Sequence, residues 1–318
     1  FFKQKTAYDI PLRLVGSEMC IRDRYEKLRS TYIEGLKNEV VKNRVHTSYN
    51  LFGTTTGRLS SEKPNLQNIP NKTDMGQRIR EFFIADSKHV FVIADYSQIE
   101  LRVLAHLSND KSMIDMLQNR ESDIHSETAS KIFQTNIESV TKDMRRKAKE
   151  VNFGLIYGME SFGLSKSLNI SKKEAEELIE AYFSQFPKIK GFLDKIVDDA
   201  TTNTFTETLY GRKRYIKELA SSNFQLKAMG KRIAMNAPIQ GTASDIMKIA
   251  MIKLNKEIQK IKSTDLLLQI HDEIIIQTPK ESANKVSKIV KKEMEGASKL
   301  KVPLFVDIKE NINLSNLN

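Results

Sequence analysis

The chain of 318 residues contains one cysteine, and that cysteine lies close to the amino terminus. A single thiol provides neither a disulfide framework nor a thiolate metal site. No apolar run approaches the roughly 20 residues that a membrane-spanning helix needs. Internal repeats, low-complexity linkers and a Walker-type phosphate loop are also absent from the sequence. We therefore expect a soluble cytoplasmic protein that has no membrane partner.

Residues 1–24 differ from the rest of the chain and contain Cys20. They do not begin with methionine and lack the apolar core of a secretory signal, which argues against a targeting peptide. The stretch "LVGSEMCIRD" matches the translation of the end of a transposase-type sequencing adapter. "FKQKTAY" and the following Ile match that adapter's outer primer, with Asp9 as the one mismatch. We hypothesise that residues 1–24 are translated adapter sequence; the alternative is a genuine, divergent amino terminus.

The formal net charge is +11. Residues 1–24 contain five basic and three acidic residues, a net of +2, so the remaining chain carries +9. Such a balance suggests an anionic partner, of which nucleic acid is the usual one. Codon bias in an A/T-rich genome also enriches lysine, so the charge alone leaves both explanations open.

The hydrophobic patterns predict an α+β fold with a helical insertion in a sheet. Residues 44–72 predict ordered loop with short extended pieces, and residues 89–97 predict a buried strand. Helical patterns fill residues 99–194, including a capping box from Ser171 to Glu174. The later segments predict a hairpin over 204–216 with Gly211 in its turn, a helix over 222–261, a strand–turn–strand over 265–279, a helix over 280–298 and a last strand over 302–310.

Two carboxylates occupy unusual positions. Asp95 ends an apolar strand, and Asp272, followed by Glu273, lies where two apolar strands meet. Each of them alone is most simply explained as an ordinary turn or cap residue. Side by side in one sheet, however, two strand-end aspartates would suit Mg²⁺, which binds a few carboxylates together with substrate phosphates.

A second pattern joins charge to aromaticity. Arg145, Lys149, Phe153 and Tyr157 recur every four residues and therefore share one slowly turning stripe of a helix. The stripe is cationic at its start and aromatic at its end, which matches the phosphates and the base of a nucleoside triphosphate. An amphipathic helix with solvated cations and core aromatics explains the same spacing equally well.

Six segments in order resemble the family A DNA polymerases. The motifs A, B and C of that family resemble "DYSQIELR" (95–102), "RRKAKEVNFGLIYG" (145–158) and "QIHDE" (269–273). Further segments resemble "TGRLSSEKPNLQNIP" (56–70), "DIHSETA" (123–129) and "NAPIQGTASDIMK" (236–248). The resemblance implies a right-hand palm, an antiparallel sheet with helices, carrying an inserted and mainly helical fingers subdomain, with the thumb absent. The implied boundaries are 25–105 for the first part of the palm, 106–230 for the fingers and 231–318 for the second part of the palm.

The resemblance also implies a role for each matching residue. Asp95 and Asp272 are the expected ligands of two Mg²⁺ ions, with Mn²⁺ as a substitute, and Glu273 and Lys149 join them as catalytic residues. The expected dNTP-binding residues are Gln98, Glu100, His125, Arg145, Lys149, Phe153 and Tyr157. The expected DNA-binding residues are Arg58, Asn65, Gln67, Arg232, Asn236, Gln240 and His271.

The expected function is template-directed DNA polymerisation in replication and repair, with primer–template DNA and dNTPs as partners. We expect a monomer in a bacterial or phage-infected cell. Because the chain would be a fragment without the thumb, we expect weak DNA binding and poor or distributive extension. A non-catalytic nucleic-acid-binding relic is one alternative. A single-subunit RNA polymerase is another, against which Glu100 together with Phe153 argues.

Overall fold

The computed structural model describes Glu26 and residues 29–71 and 73–315, which fall into two compact units. The first unit contains the described residues up to Gly53, together with Leu59–Ile84 and those from Ile312 onward. The second unit contains Thr54–Arg58 and Ala85–Asn311. The segment predicted to be adapter-derived, 1–24, lies outside the described residues.

The first unit is built from short elements. A helical segment, Arg29–Glu34, leads into α1 (Gly35–Asn38), and its later elements are β1 (Val40–Val41), β2 (Arg44–Val45), β3 (Ser48–Asn50), β4 (Ser60–Glu62), a helical turn (Leu66–Asn68) and α2 (Asp74–Glu81). Strands β1 and β2 pair antiparallel, as do β3 and β4. The short extended pieces predicted within 44–72 are therefore confirmed.

The second unit begins and ends with strands of one sheet. Its strands are β5 (His89–Tyr96), β6 (Phe205–Glu207), β7 (Lys213–Tyr215), β8 (Asp265–Ile270), β9 (Glu273–Pro279) and β10 (Val306–Asn311). Its helices are α3 (Ile99–Ser108), α4 (Lys111–Met116), α5 (Ile124–Ile132), α6 (Lys142–Ile156), α7 (Ser161–Leu168), α8 (Lys172–Gln185), α9 (Pro187–Asn203), α10 (Phe224–Ile258) and α11 (Ala283–Glu295). Single helical turns occur at Ile137–Ser139, Lys217–Ala220 and Lys280–Ser282.

Four strands form an antiparallel sheet in the order β10-β5-β9-β8. The middle of β5 is buried, since Val92 and Ala94 are fully shielded from solvent. The sheet joins one strand before the helical region to three strands after it, so the predicted α+β fold with a helical insertion is confirmed. Strand β10 starts at Val306 and not at the predicted residue 302, because Pro303 has no N–H to give to a strand ladder.

Side-chain caps define where the helices around the sheet begin. Ser171 Oγ accepts a hydrogen bond from the backbone N–H of Glu174 at 3.1 Å, as the predicted capping box requires. Thr141 Oγ1 accepts in the same way from Met144 N at the start of α6. Asp123 caps α5 through Oδ1, which accepts from the N–H of His125. The caps at Asp123 and Thr141 fix the first turns of α5 and α6, which carry His125, Arg145 and Lys149.

The predicted hairpin at 204–216 is formed by β6 and β7, with Gly211 at a φ of +78° between them. A left-handed backbone at this position favours glycine. Helix α10 is the longest helix of the second unit, and its buried residues include Ile239, Ile246 and Leu254. It contributes to one core with α3, α11 and the sheet. Among the helices that the structure describes, none combines the length and hydrophobicity that a membrane span requires.

Candidate active site

Acidic residues converge at one end of the four-stranded sheet. In the ladders, Asp95 on β5 pairs with Glu273 on β9 and with Asp307 on β10. Asp272 lies in the turn between β8 and β9, and its carbonyl accepts a hydrogen bond from Tyr96 N at 3.1 Å. Antiparallel pairing thus brings four carboxylates together from three parts of the chain.

Burial and mutual repulsion change the acidity of these carboxylates. Loss of surrounding water, together with the negative charges of Glu273, Asp272 and Asp307, raises the pKa of Asp95 to about 7. The Asp95 side chain nevertheless retains an exposed surface, so solvent reaches it. Burial also raises the pKa of Asp272, and the positive charge of Arg58 opposes that rise. Such a cluster favours a bound cation, because a cation would relieve the repulsion between the carboxylates.

The carboxylate oxygens of this cluster are the donor atoms available to a metal ion. Hard carboxylate oxygens are the protein ligands that Mg²⁺ prefers. Within residues 29–71 and 73–315, no three His, Cys, Asp or Glu side chains form a ready-made metal cage. Two aspartates that share an ion with substrate oxygens still fit Mg²⁺, which is bound in this way by many phosphoryl-transfer proteins. The residues present therefore fit the predicted ion.

A hydrogen-bonded chain connects these carboxylates to the end of α6. Arg58 Nη2 donates to Glu100 Oε1 at 2.8 Å and lies 3.6 Å from Asp272 Oδ1. Tyr157 Oη donates to Glu100 Oε2, also at 2.8 Å. Burial and the negative charge of Glu100 raise the pKa of the Tyr157 phenol to about 12, and the Gln240 side chain opposes that rise. Glu100 is thereby held at both oxygens, which compensates for its burial.

The cationic stripe predicted on α6 is present. Arg145 and Lys149 are exposed, Phe153 is half-buried, and the ring centroids of Phe153 and His125 are 5.6 Å apart. Arg145 Nε donates to Asp123 Oδ2 at 2.5 Å. Burial, opposed by Asp123 and aided by the charges of Lys149 and Arg145, lowers the pKa of His125 to about 4. Three predicted phosphate-binding residues therefore lie on neighbouring turns of α5 and α6.

The other predicted residues differ in burial and in backbone conformation. Arg232 packs over Gly158, where an added Cβ would lie 2.9 Å from Arg232 Cγ. Asn236 and Gln98 are half-buried, and Gln98 starts α3 at a φ of +57°. His271 is exposed in the turn before Asp272, at a φ of +54°. Asn65 and Gln67 belong to the first unit, where Asn65 Oδ1 accepts from Gln67 N, so their relation to the other residues stays a prediction.

Sequence reasoning missed several residues of this site. Asp307 joins the acidic cluster, and Asp123 binds Arg145. Asn152 contacts His125 and also donates a hydrogen bond to Thr128. Asp123 could have been recognised as a helix cap two residues before His125. The sequence "VPLFVDIKE" predicts a strand, but Asp307 is recognised as a neighbour of Asp95 only when the pairing of β10 with β5 is known.

Comparisons with known proteins identify the family. The sequence profile described as DNA polymerase family A matches residues 18–315. The match starts within the segment predicted to be adapter-derived, and the origin of that segment stays a prediction. The chain therefore belongs to DNA polymerase family A.

Individual relatives agree with the profile. DNA polymerase I of Caldicellulosiruptor bescii is 50% identical over 295 residues, which are 91% of this chain and 34% of that protein. The thermostable DNA polymerase I of Thermus aquaticus is 46% identical over 284 residues, 89% of this chain and 34% of that protein. The chain thus spans about one third of the length of these relatives.

A solved structure is also similar. It is described as the POL domain of Pol1 from M. smegmatis in complex with DNA primer-template and dNTP. The TM-score is 0.87 at 40% identity, and the match covers 91% of this chain and 51% of that one. The α+β fold of this chain is therefore a polymerase-like fold.

Proposed function

We propose that this chain carries the catalytic centre for template-directed transfer of a nucleotide from a dNTP to the 3′-hydroxyl of a DNA primer. One observation carries the proposal: the acidic end of the sheet and the cationic stripe of α6 are joined through Tyr157, Glu100 and Arg58. An anionic triphosphate and a cation-dependent displacement need these two surfaces side by side. The enzyme class of the family and the names of the relatives support the proposal.

In this proposal, Asp95 and Asp272 hold two Mg²⁺ ions, for which Mn²⁺ is a substitute, and Glu273 supports them. Bound at this place, the ions supply activation of an attacking hydroxyl and stabilisation of the charge on the leaving oxygen. The protein's own part is to hold two carboxylates ionised at neutral pH. Because the pKa of Asp95 is raised to about 7, this carboxylate is fully ionised at neutral pH only when a positive charge is nearby.

The cationic stripe binds the triphosphate. Arg145 donates in a fork geometry, and Lys149 adds a point charge one turn later, from which a proton can pass to the pyrophosphate leaving group. His125 adds an N–H beside them. Phe153 offers an aromatic face to the sugar, and Gln98 lies at the start of α3 after the strand that carries Asp95.

Glu100 and Tyr157 form the proposed sugar gate. Both oxygens of Glu100 are already engaged, by Arg58 and Tyr157, so neither is free to turn toward an added 2′-hydroxyl. A ribonucleotide would then meet a clash or leave its hydroxyl unpaired, which costs more than an additional contact gains. Deoxynucleotides are the expected substrates.

We assign the primer–template contacts to the following residues: Arg58, Asn65, Gln67, Arg232, Asn236, Gln240 and His271. Hydrogen-bond donors of this length suit the acceptors of the minor groove, which are similar in every base pair. We assign residues 25–105 and 231–318 to the two parts of a palm and 106–230 to fingers inserted between them. We propose DNA replication and repair as the setting of this activity.

Primer extension tests the proposal. The purified chain is incubated with primer–template, Mg²⁺ and four dNTPs beside the variants Asp95→Asn and Asp272→Asn. Asp265→Asn is the matched control, because Asp265 begins the same hairpin, is exposed, and lies at the far end of β8 from the cluster. We expect extension by the original chain and the control only. Extension by Asp272→Asn at the original rate would exclude the assigned catalytic centre.

A further inference from the structure

His125 contacts Asn152, a buried side chain that is itself bound to the buried Thr128, and neither Asn152 nor Thr128 belongs to the acidic cluster or the cationic stripe. The imidazole, on the first turn of α5, is 2% exposed. Asn152 on α6 and Thr128 on α5 are both 0% exposed. Asn152 Nδ2 lies 3.2 Å from His125 Nδ1 and 3.1 Å from Thr128 Oγ1. One amide group therefore contacts both the histidine and the threonine.

The hydroxyl of Thr128 determines the direction of these hydrogen bonds. Its proton is donated to the carbonyl of Ile124 at 2.7 Å, so Oγ1 can only accept from Asn152. The group that faces Oγ1 must then be the NH₂ of the Asn152 amide and not its oxygen. The second N–H of that amide points to His125 Nδ1, which must accept. A neutral imidazole that accepts at Nδ1 carries its proton on Nε2.

The surroundings keep the ring neutral. Burial comes first among the causes that lower the pKa of His125 to about 4, and the charges of Lys149 and Arg145 act in the same direction. Asp123 acts in the opposite direction, but its carboxylate is bound to Arg145 and Ser126. Within the part of the chain that the structure describes, His125 makes no hydrogen bond through Nε2. The Nε2–H group is therefore available to a ligand.

We propose that Asn152 is a positioning residue that fixes His125 as the Nε2–H tautomer, so that this N–H donates to a phosphate oxygen of the incoming nucleotide. The identity of the ligand rests on the proposed function, whereas the tautomer does not. A phosphate oxygen only accepts hydrogen bonds. The opposite tautomer would therefore present a lone pair to the phosphate, and one contact beside Arg145 and Lys149 would become repulsive.

The tautomer is measured directly by ¹⁵N NMR of the imidazole groups in the full chain, because protonated and unprotonated ring nitrogens give well-separated shifts. We expect His125, assigned through His125→Gln, to show an unprotonated Nδ1 at pH 7. In Asn152→Asp, a carboxylate that only accepts replaces the amide, so Nδ1 should become protonated. His106 is an internal reference, since its Nδ1 accepts from Lys301 N at 3.1 Å and should be unaffected. A protonated Nδ1 in the original chain, or no change in Asn152→Asp, would overturn the proposal.

A second pair of variants tests the orientation of the Asn152 amide independently, in case Asn152→Asp does not fold. Thr128→Val keeps the shape of the side chain and removes the acceptor that orients the Asn152 amide, whereas Thr128→Ser keeps it. We expect the His125 signal to indicate mixed tautomers in Thr128→Val and the original tautomer in Thr128→Ser. Identical spectra of the two variants would contradict the proposed role of the Asn152 amide.

Single-nucleotide incorporation tests the consequence for substrate binding. In Thr128→Val, for which mixed tautomers are expected, KM for the dNTP should rise about twofold, because only part of the population presents Nε2–H to the phosphate. In Thr128→Ser the original KM should be retained. Affinity for primer–template should not change. An altered tautomer with unchanged KM would refute the positioning role. An original chain that shows the expected tautomer and no polymerase activity would refute the proposed function instead.

Discussion

The phenol of Tyr157 donates a 2.8 Å hydrogen bond to Glu100, a carboxylate that is only 5% exposed. Tyr157 is the residue at which α6 ends, and Glu100 lies in the first turn of α3, directly after the strand that carries Asp95. A helix that carries cations is thereby fastened to the sheet that carries carboxylates. Burial raises the pKa of Glu100, and the hydrogen bonds from Arg58 and Tyr157 oppose that rise.

The first prediction removes this hydrogen bond. Tyr157→Phe should leave Glu100 Oε2 free to meet a 2′-hydroxyl and should weaken discrimination against ribonucleotides by about 1 kcal/mol, the usual contribution of one hydrogen bond. The measurement is the ratio of kcat/KM for matched dNTP and rNTP substrates. Tyr210→Phe is the control, because Tyr210 donates an equivalent hydrogen bond to Ser298 at 2.8 Å on the surface. An unchanged ratio would exclude Tyr157 from the gate.

The second prediction concerns pH. The positive charge of Arg58 lowers the pKa of both Glu100 and Asp272 relative to their values without it. Arg58→Gln should therefore let both pKa values rise, so that less carboxylate is ionised at a given pH. We expect the acid limb of the pH–rate profile for nucleotide incorporation to move to higher pH, with the largest loss of rate at the acid end. Arg78→Gln, on an exposed position of α2, is the control. A uniform loss at every pH would mean that Arg58 acts only by binding DNA.

The third prediction links His125 to stability. Its folded-state pKa is about 4 against an ordinary value of 6.5, so the unfolded chain binds the proton first. The neutral ring therefore makes its full contribution to the free energy of unfolding above pH 6.5. That contribution is lost as the pH falls towards 4. Between pH 7 and 5 the loss should be about 2 kcal/mol.

Urea denaturation at pH 7 and at pH 5 checks this value. His125→Gln should remove that part of the pH dependence. His46→Gln, at an exposed position, provides the baseline. Equal pH dependence in both variants would show that the imidazole of His125 titrates normally in the folded protein.

Local patterns predicted most of this architecture. The period-four stripe of Arg145, Lys149 and Phe153 lies on one helix, and the apolar runs around Asp95 and Asp272 are neighbouring strands, as predicted. These features depend on residues close together in sequence.

The site residues that the sequence did not reveal are brought into place by contacts between segments far apart in the chain. Asp307 reaches Asp95 only because β10 adds to the sheet beside β5, and the sequence pattern does not determine that register. Asn152 occupies a buried polar position beside the stripe, and its importance follows from Thr128 and His125 on a different helix. Helical periodicity does not reveal which neighbour faces a given side chain.

The last prediction concerns the core of the helical region. Tyr182 on α8 is 0% exposed and packs on Phe186 with ring centroids 4.8 Å apart. Its hydroxyl finds no hydrogen-bond partner within residues 29–71 and 73–315. A buried hydroxyl without a partner is destabilising, because it has lost its bonds to water. Tyr182→Phe should therefore stabilise the fold by about 1 kcal/mol, whereas Tyr182→Ala should cost about 3–5 kcal/mol by leaving a cavity.

Equilibrium unfolding in urea distinguishes these effects, and Tyr215→Phe, on an exposed ring, should change nothing. A loss of stability in Tyr182→Phe would mean that the hydroxyl is hydrogen-bonded to an ordered water. Both the ring of Tyr182 and its hydroxyl would then contribute to the free energy of unfolding, and phenylalanine could not replace tyrosine at this position without a loss of stability. A gain would mean that the ring alone stabilises the contact between α8 and the residues that follow it.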